Sequence, residues 1–508
     1  MRKTVFIKNA AILTVSSLIL RFAGIIFKVW LAAAIGSEGI GLYQLVFSVY
    51  VLVSTFATSG ISTAVTRLIA DELALGSERG VLKILRRCIE LTLLIAFVSV
   101  LAVFFGADFI ALRLLGDARA VPALKILSFS LPFMGLCSCF RGYFIARRKA
   151  TPTALSQQLE QAVRIAVVLL LVRRFASRGL VFTCGVVLLG DTLAETSSAV
   201  FLWLLYRFDR RKLKKLSGRD RPPFGIVRSV LHISVPITAG RYLNSGLRTG
   251  ENILVPKTLA KFGSGQDALA QFGMIKGMAL PILFFPSTLL NALSTLLIPE
   301  MSEAAARNRW GIVRTAVERI LRITVLLSFY CTAVFLFGGK ALGQIIYKND
   351  TVGLLLCTLS PIIPLMYLDS VSDGILKGLD QQRFTFFTAV GDSALRIVLI
   401  IIILPRFGLR GFLGIMYFSN FLTGTLNVGR LLQVSGARFD ITRVLLLPFS
   451  AALGVLLILR QILHLFGLTA GIPFLLILSL VGLPIYTVLL FVIGAVSTDD
   501  FAEFRHSS

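Results

Sequence analysis

The chain has 508 residues, 56% of them hydrophobic and 15% charged, which is too apolar for a soluble domain of this length and has the profile of a membrane protein. Its formal net charge of +26, from 52 Lys and Arg against 26 Asp and Glu, fits anionic headgroups and the positive-inside bias of a polytopic chain; in so apolar a matrix no nucleic-acid partner is expected. Cys88, Cys137, Cys139, Cys184, Cys331 and Cys357 are scattered through apolar runs, so neither zinc nor a disulfide framework is indicated and all six read as small buried residues. There is no G-x-x-x-x-G-K-[ST] phosphate loop, which argues against ATP hydrolysis by this chain. No cofactor is expected.

Apolar segments long enough to cross a ~30 Å core fall in chain order near residues 10–34, 41–69, 88–107, 121–146, 153–172 and 180–206. A second set lies near 226–256, 268–298, 317–338, 351–378, 384–404 and 411–434, and a further pair near 444–466 and 471–496. The expectation is an all-α polytopic membrane protein of about fourteen spans. Lys and Arg cluster in alternate loops, at Arg79 to Arg87, Arg147 to Lys149, Arg207 to Arg221 and Arg307 to Arg314, which places those loops and both termini in the cytoplasm. Arg173, Arg174 and Arg178 on the opposite side are an exception.

An internal repeat runs at one constant spacing. Ser128, Pro132 and Gly142 recur as Ser360, Pro364 and Gly374, Glu160 and Arg164 as Asp392 and Arg396, and Arg174-Phe175 with Arg178-Gly179 as Arg406-Phe407 with Arg410-Gly411. The spacing covers six helices, an even number, so the copies enter the membrane in the same direction and are related by an axis along its normal. Residues 1–206 form one six-helix lobe, 207–225 a basic cytoplasmic linker resting on anionic lipid, 226–434 the second lobe, and 435–508 an added helix pair with a short tail.

Several charges lie within the spans. Arg21 sits about eleven residues, or ~16 Å, into the first segment, near the midplane, and Lys28 follows on the same face. Arg241 and Arg248 repeat this spacing in the seventh segment, and Lys276 lies in the eighth. An Arg at the membrane centre costs at least ~2.5 kcal/mol and faces a wet interior or a partner, so these five are candidate binding residues. Glu160 with Arg164, and Asp392 with Arg396, stand four apart on one helix face and read as structural ion pairs. Glu251, Asp369 and Asp373 lack an obvious local partner and are candidates to bind a coupling ion, Na⁺ or H⁺. Pro236, Pro281, Pro286, Pro361 and Pro364 interrupt apolar runs of the second lobe and permit kinks.

The run Gly36-Ser37-Glu38-Gly39-Ile40-Gly41-Leu42-Tyr43-Gln44, the stretch FRGYF at 140–144 followed by Thr151-Pro152-Thr153-Ala154, and Glu251-Asn252-Ile253-Leu254-Val255-Pro256 resemble the stage V sporulation protein B family. So do Gly277 to Pro281, Phe285-Pro286-Ser287 and Ile298 to Ala304. That family belongs to the polysaccharide-transport branch of the multidrug/oligosaccharidyl-lipid/polysaccharide exporter superfamily and is similar to the lipid II flippases. The resemblance implies fourteen helices in two lobes around a central cavity, no enzymatic activity, a bacterial plasma membrane location, and export of undecaprenyl-linked peptidoglycan or polysaccharide units, with the spore cortex one destination. It also implies that cations on the first helices of the lobes, in places comparable to Arg21, Lys28, Arg241 and Arg248, face a pyrophosphate. Glu251 and Asp373 are only loosely comparable to the acids of a sodium site in some relatives. Envelope-synthesis enzymes are candidate partners.

A lipid-linked diphosphate calls for fixed cations, and Arg offers bidentate contacts to phosphate oxygens. The alternative, a cation-coupled multidrug exporter of the same superfamily, calls for unpaired carboxylates and aromatics in the cavity. A membrane glycosyltransferase needs a long outer loop bearing catalytic acids or a His, and no loop offers one convincingly.

Overall fold

A computed structural model describes residues 2–58, 60–175, 179–213, 223–262, 265–438, 442–468 and 470–494. Among them every regular element is helical. Eleven helical stretches of the described residues are long and apolar enough to cross a membrane, and the protein is an all-helical membrane protein. The segment Glu78–Phe109 illustrates the sorting of side chains: Leu94, Phe97, Val98, Phe105 and Phe109 are exposed on a face suited to lipid, while Leu85, Cys88, Thr92 and Ala96 are buried on the other.

Two of the stretches, Val15–Ala74 and Gln382–Ser435, are 60 and 54 residues long, well beyond the ~20 residues that one crossing needs. Each contains a glycine outside helical geometry, Gly36 at φ 75° and ψ 176° and Gly408 at φ 53° and ψ −136°. A residue with a Cβ adopts such angles only at a cost, so the loops expected near 35–40 and 405–410 are reduced to breaks at one glycine each.

The repeat is visible in how its helices are interrupted. Ala120–Ser128 ends before Ser130 and resumes as Leu131–Ala146 with Pro132 in its first turn. The equivalent run, Asp350–Leu359, passes through a 3₁₀ turn at Ser360–Ile362 and resumes as Ile363–Gly378 with Pro364 in its first turn. Proline is tolerated there because the first-turn N–H has no intrahelical acceptor to lose. Pro281 lies in the first turn of Leu280–Phe284 after a π-helix at Met274–Ala279, and Pro286 immediately precedes Ser287–Ala306. Pro236 behaves differently, since Pro223–Leu259 continues as helix through both Pro236 and Pro256; away from water, the remaining backbone bonds have no substitute partner and are kept.

The chain divides into two compact units, Met1–Gly273 and Met274–Ser508. In the first, a core around Ile69, Leu85, Cys139, Tyr143 and Phe144 joins the segments Ile61–Ala74, Glu78–Phe109 and Leu131–Ala146. Backbones meet where side chains are missing: a Cβ on Gly273 would stand 1.9 Å from the Ser37 carbonyl oxygen. In the second unit a Cβ on Gly343 would meet the Gly353 nitrogen at 2.3 Å, so Trp310–Tyr347 and Asp350–Leu359 cross at backbone distance.

The last helices, Leu447–Leu465 and the run from Ile472 to Val492, share a core with Trp310–Tyr347. Tyr330 stacks on Tyr486 with ring centroids 5.4 Å apart. Its hydroxyl donates to the Leu478 and Ser479 carbonyls at 3.1 and 2.7 Å, within the π-helix Ile477–Val481, and Tyr486 donates to the Leu326 carbonyl at 3.2 Å. The helix Leu180–Leu213 runs into the stretch expected as linker, with the Arg207 guanidinium 5.4 Å above Trp203 and that of Arg211 5.8 Å above Phe208. Residues 214–222, the tail 495–508 and Arg178 of the repeat lie outside the described residues. Cys88, Cys137, Cys139, Cys184 and Cys331 are free and buried, and Cys357 is free and partly buried.

Candidate functional site

Arg21 and Lys28 lie on one face of the helix that precedes the Gly36 break, and both are exposed. Arg241 and Arg248 are likewise exposed on Pro223–Leu259, in the same unit. Arg248 Nε donates to Asn244 Oδ1 at 2.9 Å, which fixes its guanidinium. Neither Arg21 nor Arg241 has a hydrogen bond or ion pair with another described residue. Pro223–Leu259 is held to residues 37–58 beside these cations: Thr249 Oγ1 donates to the Ser48 carbonyl at 2.9 Å, and Tyr242 meets Phe56 edge-on at 5.9 Å. Lys276 is half-buried in the π-helix Met274–Ala279 of the second unit.

The acids expected to act alike are held differently. Glu251 is 3% exposed, in the first unit. Asp369 Oδ1 accepts from Asn427 Nδ2 at 2.7 Å. Asp373 is bound by Lys377 of its own helix at 2.6 Å, a partly exposed pair four residues apart. That spacing is legible in the sequence, and it gives Asp373 a local counter-charge.

The most developed polar cluster is one that sequence reasoning covered only in part. Glu160 does bind Arg164, at 3.2 Å, but also binds Arg141 at 2.7 Å, and Arg164 Nε reaches Asp191 Oδ1 at 2.6 Å. Arg141 also donates to Ser198 and Ser156 at 3.0 and 3.3 Å, and Arg164 to Gln161 at 2.9 Å. Tyr43, from the Gly36 to Gln44 run, lies within electrostatic reach of Asp191. Lys28 stands within electrostatic reach of Arg164 and Asp191, so the network adjoins the cationic face of the first helix. Asp191 and Glu195, four apart in an apolar run, meet the same criterion that selects Asp369 and Asp373.

Outside the spans, Arg119 bridges Glu38 and Asp117, each at 2.7 Å, and ties the chain after Gly36 to the 116–119 turn. Burial alone would raise the Asp117 carboxyl, but hydrogen bonds and charge from Arg119 hold it below the usual carboxylate range. Towards the end of Leu180–Leu213, Asp209 accepts from Tyr143 at 2.8 Å and from Lys149 at 2.5 Å, and also binds Arg147.

The all-helical membrane scaffold carries exposed cations on two of its long helices, Arg21 and Lys28 on one and Arg241 and Arg248 on the other. Residues 6–305 match the family described as Polysaccharide biosynthesis protein, and the chain belongs to that family. It is 24% identical over 414 residues to stage V sporulation protein B of Bacillus subtilis (strain 168), covering 80% of this chain and 79% of that protein. It is 21% identical over 478 residues to lipid II flippase MurJ of the same organism, covering 88% and 87%. A solved structure of lipid II flippase MurJ in an inward closed conformation superposes with a TM-score of 0.70 at 16% identity, over 94% of this chain and 98% of that one.

Proposed function

We propose that this protein is a flippase that carries an undecaprenyl-diphosphate-linked peptidoglycan or polysaccharide precursor across the bacterial plasma membrane by alternating access, with the spore cortex as one destination. The observation that carries the reading is the exposure of Arg21 and Arg241 on spanning helices without a carboxylate among the described residues. An unpaired guanidinium at that depth is costly unless a wet cavity or a polyanion receives it. A diphosphate supplies the matching charge, and the guanidinium fork binds its oxygens in pairs. Lys28 and Arg248 extend the cationic surface of the first unit, and Lys276 is a candidate binding cation of the second. The names of the relatives, a sporulation protein and a lipid II flippase, point to the same substrate class.

Fourteen spans follow if the two long stretches are divided at Gly36 and Gly408 and the less apolar Pro223–Leu259 is counted. We assign them to two six-helix lobes joined through residues 207–225 and followed by the C-terminal pair. Among the acids assigned to the coupling ion, Asp369 and Glu251 are better placed than Asp373, which Lys377 neutralises. Depletion of the protein should enlarge the pool of lipid-linked precursor in the cytoplasmic leaflet, measured by leaflet-selective labelling. An unchanged pool would count decisively against a flippase.

The proposed orientation has both termini, and the loops near 79–87 and 147–149, in the cytoplasm. Single cysteines placed in these loops, in a Cys-free background, are expected to resist an impermeant thiol reagent in intact cells. Labelling from outside would reverse the topology.

A further inference from the structure

Around Arg141 and Arg164 the first unit gathers three carboxylates, Glu160, Asp191 and Glu195, against two guanidiniums. Arg141 and Arg164 are matched by Glu160 and Asp191 through the contacts at 2.6–3.2 Å. Glu195 lies one turn beyond Asp191 on the same helix and is 7% exposed. Its side chain has no hydrogen bond or ion pair with any described residue; only its backbone carbonyl is engaged, by the Cys137 thiol at 3.8 Å.

The two guanidiniums facing it, Arg141 and Arg164, are both paired, and Lys28 of the helix Arg2–Thr58 is within electrostatic reach of Asp191. Leu131–Ala146 presents Arg141 and Cys137, Ala150–Phe175 presents Glu160 and Arg164, its own helix presents Asp191, and the helix Arg2–Thr58 presents Tyr50. The Tyr50 hydroxyl is engaged by Ser130 at 2.7 Å. Ala120–Ser128, also packed against this helix, carries Lys125, which is paired with Asp108 at 3.4 Å. An enclosed ionised carboxylate with neither donor nor counter-ion is strongly disfavoured against its neutral form.

We infer that Glu195 is a proton-binding site of the first unit, exchanging its proton with water when the interior opens during the cycle. The inference rests on the transporter reading and names H⁺ as an ion bound by the transporter, at a residue other than Glu251, Asp369 or Asp373. The exchange is a simple transfer between the carboxyl oxygen and solvent, with no other bond made or broken.

The test uses the full chain in lipid nanodiscs. Infrared titration through neutral pH should show the C=O stretch of a protonated carboxyl in the wild type and its loss in Glu195→Gln. Because Gln reproduces the shape of the neutral acid, Glu195→Gln should unfold at the wild-type temperature. The same carboxyl signal in both proteins, no such signal in the wild type, or a marked loss of heat stability in Glu195→Gln at neutral pH would each overturn the assignment. None of these readouts needs substrate. A flipping assay with a lipid-linked diphosphate, run in parallel, tests the flippase reading separately, and its failure leaves the proton site standing.

Discussion

Arg21→Ala and Arg241→Ala should each weaken binding of a lipid-linked sugar diphosphate by roughly tenfold to a hundredfold. Each guanidinium replaces part of the headgroup's hydration by charge-assisted hydrogen bonds, typically ~1.5–3 kcal/mol apiece, and each 1.4 kcal/mol or so is a factor of ten. Since neither side chain has a hydrogen bond or ion pair with another described residue, its removal breaks no polar contact there, and both variants should fold and express normally. Lysine at either position should restore only part of the affinity, because a point charge lacks the fork. Binding measured on purified protein in nanodiscs, together with flipping in vesicles, checks this. Wild-type flipping by both alanine variants would show that these arginines are not part of the binding surface.

Arg164→Ala should act on stability instead, lowering it by about 3–5 kcal/mol, because it leaves the buried Asp191 carboxylate without its ion-pair partner. The side chain serves Glu160, Asp191 and Gln161 together, and Asp191 is nearly enclosed at 4% exposure. The contrast is Arg86→Ala, whose ion pair with Glu90 is 82% and 41% exposed, and whose loss should cost less than about 1 kcal/mol. Thermal unfolding of the two variants in the same detergent decides the matter. Equal, small changes in both would mean that the network contributes little to the fold.

The helices were legible because an apolar run of about twenty residues has few alternatives in a bilayer. The repeat was legible too: Pro361 and Pro364 mark the interruption at Ser360–Ile362, and Pro132, the repeat counterpart of Pro364, follows a matching one at Ser130 that was not read from the sequence. What composition could not convey was the sharpness of a turn. Gly36-Ser37-Glu38-Gly39 reads as a loop, yet helix resumes directly after Gly36. The charge network was only half legible for a different reason. Glu160 and Arg164 announce themselves by spacing along one helix, whereas Arg141 and Asp191 reach them across helices, which is a matter of tertiary packing. Asp369 and Asp373 show the converse: identical residues on one face are separated in role by what stands opposite, Asn427 for one and Lys377 for the other.

The docking of the C-terminal helices through Tyr330 and Tyr486 bears on how the protein is made. Helix Trp310–Tyr347 leaves the ribosome more than a hundred residues before Tyr486, so it enters the bilayer with Tyr330 unstacked and the Tyr330 hydroxyl without its Leu478 and Ser479 acceptors. In hydrocarbon an unsatisfied hydroxyl seeks a partner. The nascent second unit therefore carries an open polar seam until translation ends, and closing it is among the last steps of assembly. A chain cut short before residue 442 would keep that seam permanently.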